Sequence, residues 1–393
     1  MSSIIASLPH SVKKFDQALP VKRTSVGDKS LLGNITKSQS AQLAVHPFDG
    51  FDHAALARID RYALQAAARA LLPGERVSMC HRVIVPGRSS VDVWHNPERR
   101  RAYYANLVSC GSVWLCPVCA SKVAERRRLE LGALLHAHPG GSCMVTVTLQ
   151  HRRGDSLAAL LAVLREAWSR TKSGRRWQSI KERFGVVGYV TALEISYGAN
   201  GWHPHLHVCV VTEAALTDAD LGRLQVMVSE LYIEQVHKLG RYASEYHAIM
   251  VTGPDEVGRY VSKWGAASEL TTGFKKASDG KHPFDLLRDS LAGDETARAL
   301  FCEYAAAVKG KRQLCFSRGL RAALGLGPEV SDADAAVDQV SEGDALLARI
   351  GAAGWSVILA NNLRGQLAAI ASAGDAVRLA SWLADYGIVS EPF

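Results

Sequence analysis

The sequence predicts an α+β protein, in which an antiparallel β-sheet carries helices on one face and follows a zinc-bound element. Three observations lead to this prediction. Residues 186–211 contain two strand-like runs joined by a turn rich in Gly and Asn. Helix-like stretches precede and follow this hairpin, at 157–184 and 214–239. Four cysteines before residue 120 have a spacing that is typical of zinc sites.

Composition narrows the classes of partner and compartment. The 393 residues carry a formal net charge of +8. The charge is uneven, because the first 328 residues hold 43 basic and 29 acidic side chains and the rest hold three and nine. A basic body favours a polyanionic partner. No apolar run of about 18 residues occurs, so no membrane span is expected. The N-terminus lacks the pattern of a secretion signal, so secretion is not expected either. Cysteine usage then favours metal binding in a reducing, cytoplasmic compartment.

The chain is predicted to have four parts. Residues 1–46 are polar and are expected to form a disordered tail. Residues 47–138 form a helical and zinc-binding element, and residues 139–328 form the sheet domain that holds the chemical motifs. The acidic, Ala-rich stretch 329–393 is expected to be a small helical appendage.

The cysteine cluster indicates a structural metal site. Cys116 and Cys119 form a Cys-x-x-Cys pair, Cys110 lies six residues earlier, and Cys80 is the expected fourth ligand. Four thiolates around Zn²⁺ make a closed tetrahedral site that stabilises a small element. Two histidines are alternatives for the fourth position, namely His81 and His95. Buried cysteines without metal are a further alternative. A redox role for the Cys-x-x-Cys pair is less favoured, because no thioredoxin-like strand–helix pattern surrounds it.

A second metal site is predicted on the strand 201–211. Alternate side chains of a strand share a face, so His203, His205 and His207 project together. Glu194 lies on the preceding strand, and the turn decides which imidazole it faces. A turn centred between residues 199 and 200 places Glu194 opposite His205, and a turn centred on 200–201 places it opposite His207. Such mixed ligands suit Mg²⁺ or Mn²⁺ and would also accept Zn²⁺. The alternative is a histidine-rich exposed strand.

A third group of residues follows Thr252, where a cap and Pro254 predict the start of a helix. Glu256, Tyr260 and Lys263 share one face of that helix. Tyrosine has an unperturbed pKa of about 10, and a neighbouring lysine and a metal-polarised phosphate would favour the nucleophilic phenolate. Spacing alone favours a surface Glu–Lys pair around a core tyrosine. Two competing tyrosines lie upstream on a predicted strand over 242–251, namely Tyr242 and Tyr246.

Two basic segments suit contacts with DNA phosphates, one on the helix after Cys119 and one over residues 309–321. Trp168 and Trp177 lie among further cations, where they suit base stacking or the core. A run of charges is also often only a solvated face. The residues expected to contact DNA are Arg126, Arg127, Lys311, Arg312 and Arg318.

These motifs together resemble those of plasmid rolling-circle replication initiators, or Rep proteins. His205-Leu206-His207 resembles their His-hydrophobe-His motif, and residues 110–119 are similar to the cysteine motif before their nickase domain. Residues 143–150, with Thr146 and Thr148, resemble their first motif. Tyr260 and Lys263 match their Tyr-x-x-Lys motif, and one branch has a glutamate at the position of Glu256. The resemblance covers about residues 80–325, and it departs at Trp264, where many relatives carry a tyrosine.

The resemblance implies a catalytic domain with a ferredoxin- or RRM-like palm over residues 139–328. It implies a single-strand endonuclease in which Tyr260 attacks DNA beside a divalent metal held by Glu194, His205 and His207. Glu256 would activate water or a second attack at termination. The implied partners are plasmid origin DNA, as a single strand or extruded hairpin, with a host helicase and polymerase. The alternatives are a single-tyrosine transposase or mobilisation relaxase, and a non-catalytic zinc DNA-binding regulator.

Overall fold

The computed structural model describes residues 52–266 and 280–392. All described residues lie within one compact unit, Phe48–Phe393. The predicted disordered tail over residues 1–46 falls outside the described residues. For residues 263–266 the helical backbone is described and the side chains are not.

The described strands form two antiparallel sheets. The strands are β1 Ser90–Asn96, β2 Arg101–Ala105, β3 Gly141–Val147, β4 Val186–Gly198, β5 Gly201–Thr212, β6 Ile249–Thr252, β7 Leu314–Phe316 and β8 Ala345–Gly351. One sheet has the order β2-β1-β8, and the other has the order β6-β3-β5-β4-β7. All their strand pairings are antiparallel.

Helices connect these strands and follow them. They are α1 His53–Leu71, α2 Pro117–Ala137, α3 Leu157–Thr171, α4 Arg175–Arg183, α5 Asp218–Lys238, α6 Pro254–Ala266, α7 Pro283–Leu291, α8 Glu295–Ala307, α9 Leu320–Ala323, α10 Asp332–Ala335, α11 Ala352–Ala360, α12 Arg364–Ala371 and α13 Ala376–Ala384. Side chains fix several starts: Ser156 caps α3, and Thr217 with Asp220 forms a capping box on α5. None of the described helices is long and apolar enough to cross a membrane.

The larger sheet contains a ferredoxin-like repeat. Its elements run β3, α3 with α4, β4, β5, α5 and β6 along the chain. Their spatial order β6-β3-β5-β4 places the first and third strands of the repeat side by side at the centre. β7 adds a further edge strand beside β4. The α+β class and the palm-like sheet expected from the sequence are therefore confirmed.

Helices cover both faces of this sheet, and not one face as expected. Helices α3 and α5 pack on the face that holds Val145, Leu206 and Val208. Helices α2 and α6 cover part of the opposite face, around Met144 and Cys209. The reason lies in β5, which is apolar on both sides after residue 207, so both faces there must be covered. The histidine end of β5 stays half-exposed.

The smaller sheet joins strands from the N-terminal part of the described chain to a strand from its C-terminal stretch. β8, from the acidic C-terminal stretch, pairs with β1, so that Ile350 lies opposite Val91 and Ala348 opposite Val93. All four side chains are buried. Helix α12 packs against α1. The stretch from residue 329 is thus not only helical as expected, because it supplies strand β8 to the sheet that contains β1 and β2.

Two other predicted elements have different bounds in the structure. The strand expected over 242–251 is restricted to Ile249–Thr252, because residues 244–248 make a turn in which the Ala248 amide donates to the Ser244 carbonyl. The helical stretch expected over 157–184 is two helices. The break is at Gly174, whose φ of 88° is a conformation that glycine adopts without strain.

Candidate active site

The β4–β5 hairpin sets the register of the predicted metal ligands. Gly198 pairs with Gly201, so the loop consists of residues 199 and 200. Gly201 has a φ of 87°, which favours glycine at this position. This register places Glu194 directly opposite His205. Of the two registers that the sequence allowed, the structure has the first.

Glu194, His205 and His207 bring three ligand atoms together. The Glu194 Oε2 atom lies 3.2 Å from His205 Nε2 and 3.5 Å from His207 Nε2. The three ligand atoms lie within 4.8 Å of one another, an arrangement that could hold a metal ion. Ligands about 2.1 Å from an octahedral ion are separated by about 3.0 Å. The group is therefore compatible with a divalent cation, and three ligands would fill half of an octahedral shell.

Both imidazoles are oriented through their second ring nitrogen. His207 Nδ1 lies within hydrogen-bonding distance of the Thr146 hydroxyl, at 3.3 Å, and His205 Nδ1 lies 3.5 Å from the His203 carbonyl oxygen. The Nε2 atoms are thereby directed at Glu194. Partners of this kind fix the tautomer and orientation of metal-binding histidines. Thr146 was predicted only as a member of a threonine-bearing strand, and its contact with His207 depends on the pairing of β3 with β5.

Electrostatics keep Glu194 in its charged form. Burial alone would raise its pKa, but hydrogen bonds from His205 and His207 outweigh that effect and hold the pKa well below its usual range. A carboxylate is the protonation state that binds cations. His203, next along the same face, stacks on His151 at 4.9 Å, and burial with the neighbouring histidines lowers the pKa of His203 to about 4. His203 is outside the ligand group.

Tyr260 lies beside His207 of the candidate metal-ligand group. Helix α6 begins at Pro254, directly after β6, and packs against β3 and α2. This packing places the Tyr260 ring centroid 4.5 Å from that of His207. Tyr260 is 7% exposed, at the border between the apolar cluster of α2 and α6 and the imidazoles. The phenol and the candidate metal-ligand group, 53 to 66 residues apart in sequence (260 − 207 and 260 − 194), therefore converge on one face of the sheet.

The other predicted residues of this region differ in their placement. Glu256 lies one turn before Tyr260 on α6 and forms an ion pair of 3.2 Å with Arg259. Lys263 lies on the same helix, and its side chain is not described. The competing tyrosines lie elsewhere on the surface: Tyr242 is 57% exposed and stacks on His237, and Tyr246 is 85% exposed.

The four predicted cysteines form a second group that could hold a metal. Cys80, Cys110, Cys116 and Cys119 are all buried, and their sulfur atoms lie within 4.8 Å of one another. Three of the sulfur–sulfur distances are 3.4, 3.7 and 3.7 Å. A tetrahedral Zn²⁺ with bonds of about 2.3 Å separates its sulfur ligands by about 3.8 Å, whereas a disulfide bond measures about 2.05 Å. The buried cluster is therefore compatible with zinc.

The alternative fourth ligands are placed outside this cluster. His81 follows Cys80, and its Nδ1 lies 2.9 Å from the Tyr62 hydroxyl. His95 lies on β1, opposite Ala102 and Ala345. Cys80 is thus the fourth member of the cysteine cluster.

Two residues that the sequence did not single out form hydrogen bonds at or next to the cysteine cluster. Gln65 on α1 donates to the Cys116 sulfur at 3.1 Å. Arg364 on α12 is buried and donates to the Gln65 side chain at 2.7 Å and to the His81 carbonyl at 3.1 Å. Four thiolates around Zn²⁺ have a net charge of −2, so a buried guanidinium nearby offsets part of it. The spacing of the cysteines does not indicate that Gln65 or Arg364 lies near the cluster.

The residues predicted to contact DNA fall into two groups. Arg126 and Arg318 are exposed, and Lys311 is half-buried. Arg312 is exposed and forms an ion pair with Glu329. Arg127 is 4% exposed, so the expectation for this residue is corrected.

Arg127 belongs to a buried ion-pair network. Its guanidinium donates to Glu130 at 2.9 Å, to Asp332 at 3.1 Å and to the Val330 carbonyl at 2.7 Å. These partners hold the C-terminal stretch against α2. The predicted stacking residues Trp168 and Trp177 are also buried, packed edge to face at 6.1 Å, and belong to the core.

Comparison with known proteins supports the resemblance indicated by the motifs. A protein named "Protein rep" from Streptomyces lividans is 25% identical over 302 residues, which cover 58% of this chain and 66% of that protein. A "Neomycin resistance protein" from Streptomyces cyanogenus is 29% identical over 133 residues, which cover 27% of this chain and 30% of that protein. No protein-family model matches the chain. No solved structure matches it. The chain is therefore related to a Rep protein, as its motifs indicated.

Proposed function

We propose that this protein initiates plasmid rolling-circle replication by nicking one strand of origin DNA. The observation that carries the proposal is the proximity of the Tyr260 ring to His207, which places a candidate nucleophile beside a candidate metal-ligand group. The similarity to a protein named Rep supports a role in replication, and the nicking chemistry is our inference from the site.

The divalent cation would be Mg²⁺ or Mn²⁺, held by Glu194, His205 and His207. When bound, it supplies positive charge that polarises the scissile phosphate. Three protein ligands fill half of an octahedral shell, so such a cation would keep positions for phosphate oxygens. Thr146 has a positioning role, because its hydroxyl orients the His207 ring.

Tyr260 is the proposed nucleophile. Its phenolic oxygen attacks phosphorus, a tyrosine–phosphate bond forms at the 5′ end, and the bond from phosphorus to the 3′ oxygen breaks. The departing 3′-hydroxyl can prime synthesis. The phosphotyrosine bond keeps the energy of the phosphodiester, so a later attack by a 3′-hydroxyl can rejoin the strand without ATP. Lys263, one turn after Tyr260, would favour the phenolate.

We expect loss of a metal ligand to impair cation binding without unfolding the sheet. In His205→Ala the affinity for Mn²⁺ should fall by more than about 100-fold, since even partners of metal ligands contribute 10–100-fold. His203→Ala is the matched control, because His203 lies on the same face outside the ligand group. Titration followed by the electron paramagnetic resonance of free Mn²⁺ measures both variants. Equal affinities in the two variants would contradict the assignment.

Glu256 is proposed to activate water or a second attack at termination, so that one tyrosine suffices. In Glu256→Ala we expect normal first cleavage and termination slowed by about 100-fold or more, the usual contribution of a general base. The measurement compares nicked and released circular products from a substrate with two origins. Asp255→Ala, also in the first turn of α6, is the control. Slow first cleavage in Glu256→Ala would argue against this role.

The proposed contacts with the DNA backbone come from Arg126, Lys311, Arg312 and Arg318. Arg127 is left out because its guanidinium is buried among acidic partners. A host helicase and polymerase are proposed to act on the nicked strand.

A nicking assay on supercoiled plasmid DNA tests the proposal. The protein is incubated with supercoiled plasmids that carry the DNA surrounding its coding sequence, with Mg²⁺, with Mn²⁺, or with chelator. We expect a nick at one position in either metal, and a peptide containing Tyr260 attached to the 5′ end. Binding to this DNA without nicking in either metal would instead favour a non-catalytic zinc regulator.

A further inference from the structure

A second site lies between α1, β2 and α2, away from the candidate active site. It is a partly open cavity of about 190 Å³. Four cationic side chains line it: Arg58 and Arg61 from α1, Arg101 from β2 and Lys122 from α2. Neither the metal-binding histidines nor Tyr260 line this cavity.

The cations at this cavity outnumber the acids. Asp338 and Glu125 are the acidic residues that line it. Asp338 is shared, since it forms ion pairs with Arg101 at 2.5 Å and with Lys122 at 2.6 Å. Glu125 forms an ion pair of 2.8 Å with Arg128, which is not among the residues that line the cavity. The cavity therefore has a surplus of positive charge.

The arginines of α1 repel each other and Arg101. Arg58 donates to the Ser372 hydroxyl at 2.8 Å, and no ion pair with a carboxylate is found for it within 52–266 and 280–392. Burial, followed by repulsion from Arg58 and Arg101, lowers the pKa of Arg61 to about 10. Burial, followed by repulsion from Arg101, also lowers the pKa of Arg58. Gathering guanidiniums around one cavity costs free energy that a bound anion would offset.

We propose that this cavity binds a phosphate group, supplied either by a DNA backbone or by free phosphate. Guanidiniums present several donors in a planar fork that suits phosphate oxygens. The volume equals that of about six water molecules at ~30 Å³ each, which accommodates a phosphate with its ester oxygens. Residues from α1 and β2 would thereby add an anion site to the zinc-bound element, separate from the chemistry at Tyr260.

Thermal unfolding of the full zinc-loaded chain tests the site with inorganic phosphate as the probe. Phosphate replaces chloride at constant ionic strength, and the melting temperature is followed as phosphate rises. We expect protection of the wild type and of Arg165→Gln, which removes an exposed arginine of α3 outside the cavity. In Arg58→Gln the apparent Kd for phosphate should rise by about tenfold or more, the effect of losing one charged hydrogen bond.

A second variant keeps all the arginines. Ala54 is an exposed residue of the first turn of α1 that also lines the cavity. Ala54→Glu adds a carboxylate where it favours the helix N-terminus and competes with the anion, so this variant should fold and lose phosphate protection. Equal protection of Ala54→Glu and wild type, or no protection of the wild type beyond that by chloride, would overturn the proposal.

Binding of single-stranded oligonucleotides distinguishes the two sources of phosphate. The assay uses Tyr260→Phe without divalent cation, so that its outcome does not depend on nicking. If DNA supplies the phosphate, adding Arg58→Gln should weaken binding and reduce the slope of log affinity against log salt by about one. If oligonucleotide binding is unchanged while phosphate protection is lost, free phosphate is the ligand.

Discussion

Replacing Tyr260 with phenylalanine is expected to abolish the covalent protein–DNA adduct. The substitution removes the one oxygen that the proposed reaction joins to phosphorus and keeps the ring that contacts His207 at 4.5 Å. Loss of a nucleophile costs roughly 10³-fold or more in rate. The measurement is the yield of protein linked to a labelled oligonucleotide that spans the mapped nick, in Mg²⁺ and in Mn²⁺.

DNA binding should persist in Tyr260→Phe, since no charge changes and the aromatic packing is kept. Tyr242→Phe and Tyr246→Phe are the matched controls, because both tyrosines are largely exposed and lie upstream in the same region. Both controls should form the adduct at the wild-type yield. An undiminished adduct in Tyr260→Phe, or its loss in either control, would refute the assignment of the nucleophile.

We propose that zinc occupies the cysteine cluster, and its removal is expected to have the largest effect on stability. The cysteine cluster joins the loop at Cys80 to the segment 110–119, and it is connected through Gln65 to α1 and through Arg364 to α12. Without metal, these elements lose their shared anchor. Cys119→Ser should lower the free energy of unfolding by at least about 4 kcal/mol, a size reserved for losses such as a structural metal. Chemical denaturation and metal content by mass spectrometry measure the effect.

Cys302→Ser is the control for this experiment, because Cys302 is exposed and outside the cluster. Its zinc content and stability should match the wild type. A chelator should reproduce the effect of Cys119→Ser in the wild type, since structural zinc contributes folding free energy directly. A stable, metal-free Cys119→Ser protein would mean that the four cysteines are ordinary core residues.

Strand β5 shows which features of the candidate metal site can be predicted from local sequence pattern. Alternation along residues 201–211 is enough to place His203, His205 and His207 on one face, because the side-chain period of a strand is two. The partner of Glu194 was open between two registers, since Gly198, Asn200 and Gly201 all suit a turn. The structure has the two-residue loop, and Glu194 lies close to both imidazoles.

The burial of individual basic residues could not be predicted from local sequence pattern. Arg126 and Arg127 are neighbours in a run of charge, and the sequence treats them alike. One is exposed and the other is 4% exposed, because the partners of Arg127 come from Val330 and Asp332, about 200 residues later. The same long-range packing converts part of the C-terminal stretch into β8.

The sequence by itself indicated most members of the two candidate ligand sets, the α+β class and the helix that carries Tyr260, because these features depend largely on short-range spacing. Only the tertiary structure decided that Tyr260 contacts His207, that Arg364 braces the cysteines, and that four cations surround one cavity. These contacts join residues far apart in the chain, and the free energy that selects them comes from burying distant apolar surfaces together.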